Sequence, residues 1–213
     1  MDPDFWHSRW QDGRIGFHEG RVNRMLEAHL DALHLAPGSR VFVPLCGKAV
    51  DIPWLLSRGH RVTGCELSEI AVRELFDQMG GAPEVSEDGP HRRYMASGLE
   101  IFAGDLFALD AGRIGPVEAV YDRAALVALP ADMRPLYAAH VAELTDTVPQ
   151  LVVTFEYDQS GMEGPPFAVT EAELRALYGD RFGITVLADA VEPGGLKGII
   201  PARKKAVLLH PGG

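Results

Sequence analysis

The stretch RVFVPLCGKAVDIPWLLSRGHRVTGCELS, residues 40–68, decides the fold of this chain. Two short apolar runs, 40–45 and 61–65, flank a segment whose apolar residues recur at helical spacing. A strand, a helix and a second strand in this order form a β-α-β unit, which binds its ligand outside the carboxyl ends of the strands. Glu66 follows the second strand, roughly 20 residues after the first loop, where a carboxylate can accept hydrogen bonds from both hydroxyls of a ribose.

The remaining strands follow from further apolar runs. Residues 99–103, 117–121 and 150–156 predict three more strands, each separated from the next by a helical pattern. Residues 183–191 and 204–210 predict a closing antiparallel hairpin. The sequence therefore predicts an α/β fold with a doubly wound, seven-stranded, mostly parallel sheet that ends in a C-terminal antiparallel hairpin.

Helices are predicted between these strands. Apolar residues at helical spacing indicate helices over 21–34, 69–79 and 132–144, and Thr170 is positioned to cap a helix that ends at Tyr178. The polar segment 80–96 has no clear periodicity and is predicted to be an exposed excursion between the helix over 69–79 and the third strand.

Length and composition favour one domain. The 213 residues are enough to bury a core without disulfides or metals, so we expect a single domain over residues 1–213. Residues 1–20 hold two of the three tryptophans and form an aromatic N-terminal arm. Its rings either pack on the domain or act as a lid over a ligand, and both can hold together.

The charge balance disfavours several partners. With 20 basic and 30 acidic residues the formal net charge is −10, which repels nucleic acid and anionic lipid. No apolar run approaches the ~20 residues of a membrane span. Cys46 and Cys65 lie within apolar strand ends, and the first residues do not resemble a secretory signal. We expect a cytoplasmic monomer that acts on a small molecule.

The first loop indicates what kind of ligand binds. Phosphate sites need several glycines, but residues 43–48 hold only Gly47, and Pro44 has no N–H. A nucleoside without phosphates fits better, and S-adenosylmethionine is the commonest such cofactor on this architecture. Its ribose would lie at Glu66 and its adenine near Asp105, although Asp105 is equally placed to cap a turn. An NAD-dependent oxidoreductase is the weaker alternative.

Two further segments carry candidate site residues. Arg123 follows the fourth strand, where a buried charge is costly unless it is paired, so it contacts a ligand, pairs with Asp122 or reaches solvent. The rigid prolines before Phe167 suit a substrate wall. The chain has no GxSxG elbow, HExxH motif or zinc-spaced cysteine pair, so we expect no metal and interpret Cys46 as a small buried thiol.

Taken together, these segments resemble the thiopurine S-methyltransferases, particularly the bacterial branch. The resemblance rests on WxxxW at 6–10, IGFH at 15–18, VPLCGK at 43–48 with Asp51, Glu66 before Ser68, YDRAAL at 121–126 and GPPF at 164–167. It covers nearly the whole chain, and the PLCGK loop is unusual among methyltransferases, most of which keep a glycine-rich turn. The match weakens after Gly194, where GGLKGIIP replaces a run that contains aromatic residues and arginine in family members.

The resemblance implies a class I, Rossmann-like fold and methyl transfer from S-adenosylmethionine to the sulfur of an aromatic or heterocyclic thiol, with selenium or tellurium species as further acceptors. The residues implied to contact the cofactor are Trp10, Leu45, Glu66, Asp105, Leu106 and Arg123. The residues implied to line the acceptor pocket are Phe17, Pro165 and Phe167. No catalytic base is obligatory, and Arg123 would orient the thiolate. The alternative is a nucleoside-binding regulatory protein with this fold and no turnover.

Overall fold

A computed structural model describes residues 3–16 and 18–212, in which nine strands form one sheet. The strands are β1 Arg40–Pro44, β2 Arg61–Glu66, β3 Glu84–Asp88, β4 His91–Ala96, β5 Leu99–Ala103, β6 Ala119–Arg123, β7 Gln150–Glu156, β8 Phe182–Val191 and β9 Arg203–Pro211. Their order across the sheet is β3-β4-β5-β2-β1-β6-β7-β9-β8. The five central strands are parallel to one another, and both outer pairs are antiparallel.

Helices lie on both faces of this sheet, as a doubly wound fold requires. They are α1 Pro3–Gln11, α2 Arg24–His29, α3 Asp51–Ser57, α4 Glu69–Gln78, α5 Ala111–Ile114, α6 Arg134–Leu144 and α7 Glu171–Tyr178. One core layer includes Tyr137 of α6 and Leu174 of α7, and the other includes Leu26 of α2 and Leu55 of α3, all fully buried. The predicted α/β fold is confirmed.

The strand count differs from the prediction. Seven strands are predicted, and the described residues form nine, because β3 and β4 lie within the segment 80–96 that is interpreted as an exposed excursion. β4 pairs antiparallel with β5, and β3 pairs antiparallel with β4. The outermost strand, β3, has no fully buried residue, so its polar sequence resembles a loop. In β4 only His91 and Tyr94 are buried.

Helix ends differ in smaller ways. The predicted helix over 21–34 starts at Arg24, because Asn23 caps it by accepting a hydrogen bond from the N–H of Met25. It ends at His29, and the next four residues form a 3-10 turn. Thr170 caps α7 as predicted, its Oγ1 3.1 Å from the amide nitrogen of Glu173. In the described part of the chain, no helix is long and apolar enough to cross a membrane.

Candidate active site

A cavity of about 240 Å³ opens at the carboxyl ends of the central strands. One side of it, here called the strand-end wall, consists of Leu45, Gly47, Glu66, Asp105 and Arg123, which follow or end β1, β2, β5 and β6. A second group of lining residues, here called the cover wall, includes residues of α1 together with Pro165, Pro166 and Lys197. The strands therefore bring together four segments that are far apart in the sequence.

The loop after β1 is shaped by backbone conformation. Leu45 and Gly47 both have positive φ, 45° and 53°, so the chain turns sharply at the end of the strand. The N–H of Cys46 donates to the Cys65 carbonyl at 3.0 Å, and the N–H of Gly47 donates to Oε2 of Glu66 at 2.8 Å. The Gly47 N–H is thus already bonded to a carboxylate, which is a poor arrangement for receiving a phosphate.

Glu66 is almost fully buried, with 6% of its surface exposed, and still lines the cavity. Its Oε1 accepts from the N–H of Ser68 at 2.8 Å, while Oε2 accepts from Gly47. Burial raises the pKa of this carboxyl, and the backbone hydrogen bonds oppose that shift. A carboxylate offers about four acceptor positions, so two remain for hydroxyl groups. This donor set fits a ribose.

Asp105 lies at the end of β5 and caps the short turn that follows. Its Oδ1 accepts from the N–H of Phe107 at 3.0 Å. The same residue lines the cavity next to Leu106, which is 2% exposed. The two interpretations of Asp105, turn cap and cavity residue, are therefore compatible, because the cap uses only one carboxylate oxygen.

Arg123 ends β6 and lines the cavity with a side chain that is only 11% exposed. Its Nη2 lies 3.0 Å from Oε1 of Glu19, so its ion pair is with a residue near the N-terminus. Burial alone would raise the pKa of Glu19, but the positive charges of Arg123 and Lys204 hold this pKa below its usual value. The neighbouring Asp122 instead accepts from the Tyr137 hydroxyl at 2.7 Å and from the N–H of Leu126 at 3.1 Å.

The first helix contributes an aromatic part of the cover wall. Trp10 is 5% exposed, and its ring lies 3.2 Å from where a Cβ on Gly47 would be. Pro3, Trp6 and Arg9 also line the cavity. The helix thus contacts the loop after β1 over the opening.

The predicted acceptor residues are placed differently from one another. Pro165 lines the cavity and accepts, through its carbonyl, a hydrogen bond from Nζ of Lys197 at 2.6 Å. Phe167 is not among the lining residues: its ring lies against Gly164 and 5.8 Å from the Arg134 guanidinium. Phe17 lies outside the described residues.

The sequence does not predict several residues that line the cavity, and three of them are cationic. Arg9, Lys48 and Lys197 line the cavity together with His18. Burial, and then the charges of Lys48 and Arg123, lower the pKa of His18. Burial and Arg9 lower the pKa of Lys197. Arg9, His18 and Lys48 belong to segments that carry the family resemblance, whereas Lys197 lies where the resemblance weakens.

Other chemistry has little support at this site. The thiol of Cys46 is buried, and burial together with the charge of Glu66 raises its pKa well above the usual value, which disfavours a thiolate nucleophile. Within residues 3–16 and 18–212, no three His, Cys, Asp or Glu side chains come together in a group suited to a metal ion.

Comparison with known proteins identifies the family. The sequence model of the thiopurine S-methyltransferase family matches residues 1–197. The chain is 57% identical over 211 residues to the thiopurine S-methyltransferase of Xanthobacter autotrophicus, covering 99% of both chains. The chain belongs to the thiopurine S-methyltransferase family. A second member, from Gluconobacter oxydans, is 46% identical over 97% of this chain and 94% of its own length.

Solved structures agree with the fold of this family member. The 1,6-didemethyltoxoflavin-N1-methyltransferase of Burkholderia thailandensis, crystallised with S-adenosylhomocysteine, aligns with a TM-score of 0.66 at 21% identity over 98% of this chain and 87% of its own. The magnesium protoporphyrin IX methyltransferase of Synechocystis aligns with a TM-score of 0.65 at 16% identity over 99% of this chain and 100% of its own. The prediction of an S-adenosylmethionine-dependent methyltransferase with a class I fold is confirmed.

Proposed function

We propose that this methyltransferase transfers the methyl group to the sulfur of an aromatic or heterocyclic thiol, which binds as the thiolate. The observation that carries the proposal is the combination of apolar and cationic residues around one cavity. Trp6, Val127 and Met133 supply apolar surface, and Arg123 and Lys197 supply positive charge. An aromatic ring is stabilised by the first group and an anionic sulfur by the second.

The cofactor would lie along the strand-end wall. Glu66 would accept hydrogen bonds from the ribose hydroxyls, Asp105 with Leu106 would hold the adenine, and Leu45 and Trp10 would pack on the remainder. When bound, S-adenosylmethionine supplies a methyl group on a positively charged sulfur. The residues of this chain then need to bind and align the acceptor with that group, which contributes to the rate through orientation.

Arg123 has the clearest part in activating the acceptor. A guanidinium stays charged at every physiological pH, and a nearby positive charge lowers the pKa of a thiol. The thiolate is the nucleophilic form of sulfur, and aromatic thiols already ionise near neutral pH. We therefore infer that no side chain has to remove the proton, and that Arg123 favours the ionised acceptor.

The direct test is incubation with labelled S-adenosylmethionine and a panel of aromatic thiols, alkyl thiols, selenite and halides. Methylated aromatic thiols support the proposal. Product from selenite or halide alone would replace it with a different acceptor class, and tight cofactor binding without any product would favour a regulatory protein.

A variant tests the acceptor side separately. Arg123→Ala should lower kcat/KM for an aromatic thiol roughly 10- to 100-fold, with the largest loss for acceptors of high thiol pKa, because those depend most on the charge. Arg175→Ala is the matched control, since Arg175 is an exposed arginine on α7 paired with Glu171. Equal rates for the Arg123→Ala variant and the unaltered enzyme would exclude Arg123 from the reaction.

A further inference from the structure

Two histidines outside the cavity hold adjacent backbone carbonyls of the segment that follows β5. The Nε2 of His91, the first residue of β4, lies 2.8 Å from the carbonyl oxygen of Asp105. The Nε2 of His140, on α6, lies 2.8 Å from the carbonyl oxygen of Leu106. Neither histidine lines the cavity, whereas both carbonyl-bearing residues do.

The ring of His91 is fixed by close packing. The residue is 1% exposed, and its ring lies edge-on to Phe102 at 6.1 Å between centroids. A Cβ on Gly104 would lie 2.6 Å from Cδ2 of His91, so the ring occupies the space that any larger residue at 104 would need. The hairpin of β3 and β4 thus packs His91 against the turn that carries Asp105.

His140, on α6, contacts the next residue of the same turn. It is half-buried on α6, and its ring centroid lies 5.6 Å from that of Phe107, which lines the cavity. A carbonyl oxygen can only accept a hydrogen bond, so Nε2 carries the hydrogen in both histidines. The turn is therefore held by two histidine donors that come from different elements, β4 and α6.

We propose that His91 and His140 are positioning residues that fix segment 105–107 in the conformation that receives the adenine of the cofactor. The proposal rests on the placement of adenine at Asp105, and it is independent of the methyl acceptor. Each carbonyl also accepts a backbone hydrogen bond within the turn, Asp105 from the N–H of Ala108 and Leu106 from the N–H of Leu109, both at 3.1 Å. Loss of a histidine donor therefore leaves these internal bonds in place but removes the tether of the turn to β4 or α6, and the segment gains alternative positions. Asp105 and Leu106 then no longer meet the base in one fixed arrangement.

The experiment measures binding of S-adenosylhomocysteine and of its 6-oxo analogue, S-inosylhomocysteine, by calorimetry. His91→Leu and His140→Phe remove the donor and keep much of the volume. Each should weaken S-adenosylhomocysteine about 10-fold, which is about 1.4 kcal/mol, and weaken the analogue less, so that the preference for adenine narrows. His91→Gln and His140→Gln keep an N–H near the Nε2 position and should bind within about threefold of the unaltered enzyme.

The control is His60→Leu, because His60 precedes β2 at the amino end of the parallel strands, away from the carboxyl ends that line the cavity, and it should leave both affinities unchanged. Equal losses for the two ligands would indicate general loosening and overturn the proposal, as would unchanged affinity in both donor-less variants. His140→Phe, at a half-buried position, keeps the test available if His91→Leu does not fold. No acceptor is present in these assays, so a wrong acceptor class would not alter the result.

Discussion

The strand-end wall and the cover wall enclose one cavity but are built differently. In the strand-end wall, Glu66 is buried and bonded to two backbone N–H groups, and it sits at the end of a central strand. In the cover wall, Lys197 is exposed and reaches the cavity through one hydrogen bond to Pro165. Under the proposed placement of the cofactor, we interpret the strand-end wall as a rigid half that binds the cofactor and the cover wall as an adjustable half that selects the acceptor.

The largest loss of cofactor affinity is expected when Glu66 of the strand-end wall is replaced. Glu66→Ala should weaken S-adenosylhomocysteine about 1,000-fold by calorimetry, because two charge-assisted hydrogen bonds to the ribose, each worth roughly 2 kcal/mol, are lost. Asp105→Ala should weaken S-adenosylhomocysteine only about 10-fold, since Asp105 is exposed and water competes for its hydrogen bonds.

Stability has to be followed in the same variants. Glu66→Ala also leaves the N–H groups of Gly47 and Ser68 without their acceptor, so a lower free energy of unfolding is expected. Glu84→Ala, at an exposed position on β3, serves as a control with no effect on either quantity. Full cofactor affinity in a folded Glu66→Ala variant would contradict the ribose assignment.

A second effect concerns the charge buried beneath the strand-end wall. Burial raises the pKa of Asp122 to about 6, although its hydrogen bonds from Tyr137 and Leu126 act in the opposite direction. The unfolded chain releases this proton near pH 4, so the folded state binds it more strongly between about pH 4 and pH 6. The contribution of Asp122 to the free energy of unfolding should therefore fall by about 3 kcal/mol as pH rises through this window and stay level above it.

The Asp122→Asn variant separates this effect from all others. An asparagine can still accept from Leu126 and can donate to the oxygen of Tyr137, but it does not titrate. Urea unfolding at about pH 4.5 and pH 8 should show a smaller loss for the variant than for the unaltered enzyme. Parallel losses in the two proteins would mean that Asp122 titrates normally.

The same contrast explains what the sequence could predict. The strand-end wall can be predicted from local patterns, because an apolar run indicates each strand and the residues just after the strand lie at the carboxyl edge of the sheet. Glu66, Asp105 and Arg123 are predicted in this way. The cover wall depends on segments that meet only after folding. No pattern within GGLKGIIP, residues 194–201, indicates that Lys197 bonds to the carbonyl of Pro165. Likewise, the residues around Glu19 do not indicate that it pairs with Arg123.

The missed hairpin has a related cause. Edge strands need not bury alternate residues, and β3 has a polar sequence that fits a loop as well as a strand. The contact between His91 and the carbonyl of Asp105 arises from the register of β4 with β5, and no sequence motif indicates it.

A moderate effect is expected where the two walls touch. Gly47→Ala adds a Cβ 3.2 Å from the Trp10 ring at a residue whose φ is +53°. The positive φ costs about 1–2 kcal/mol for a residue with a side chain, and the Trp10 ring has to shift. Cofactor affinity should fall about 10-fold with little change in acceptor KM. Gly38→Ala, also at positive φ but with open space around it, controls for backbone strain alone.

The smallest effect is expected for the exposed cation of the cover wall. Lys197→Met should raise KM for an anionic thiol about threefold, because an exposed charge is largely screened by water and salt. Cofactor affinity should not change, since we assign Lys197 to the acceptor and not to the cofactor. Lys197→Arg keeps the charge and should restore KM. The increase in KM should shrink at high salt and disappear for a neutral acceptor. An equal increase in KM for neutral and anionic acceptors would mean that Lys197 acts by shape, through its bond to Pro165. The adjustable half would then select the acceptor by steric fit alone.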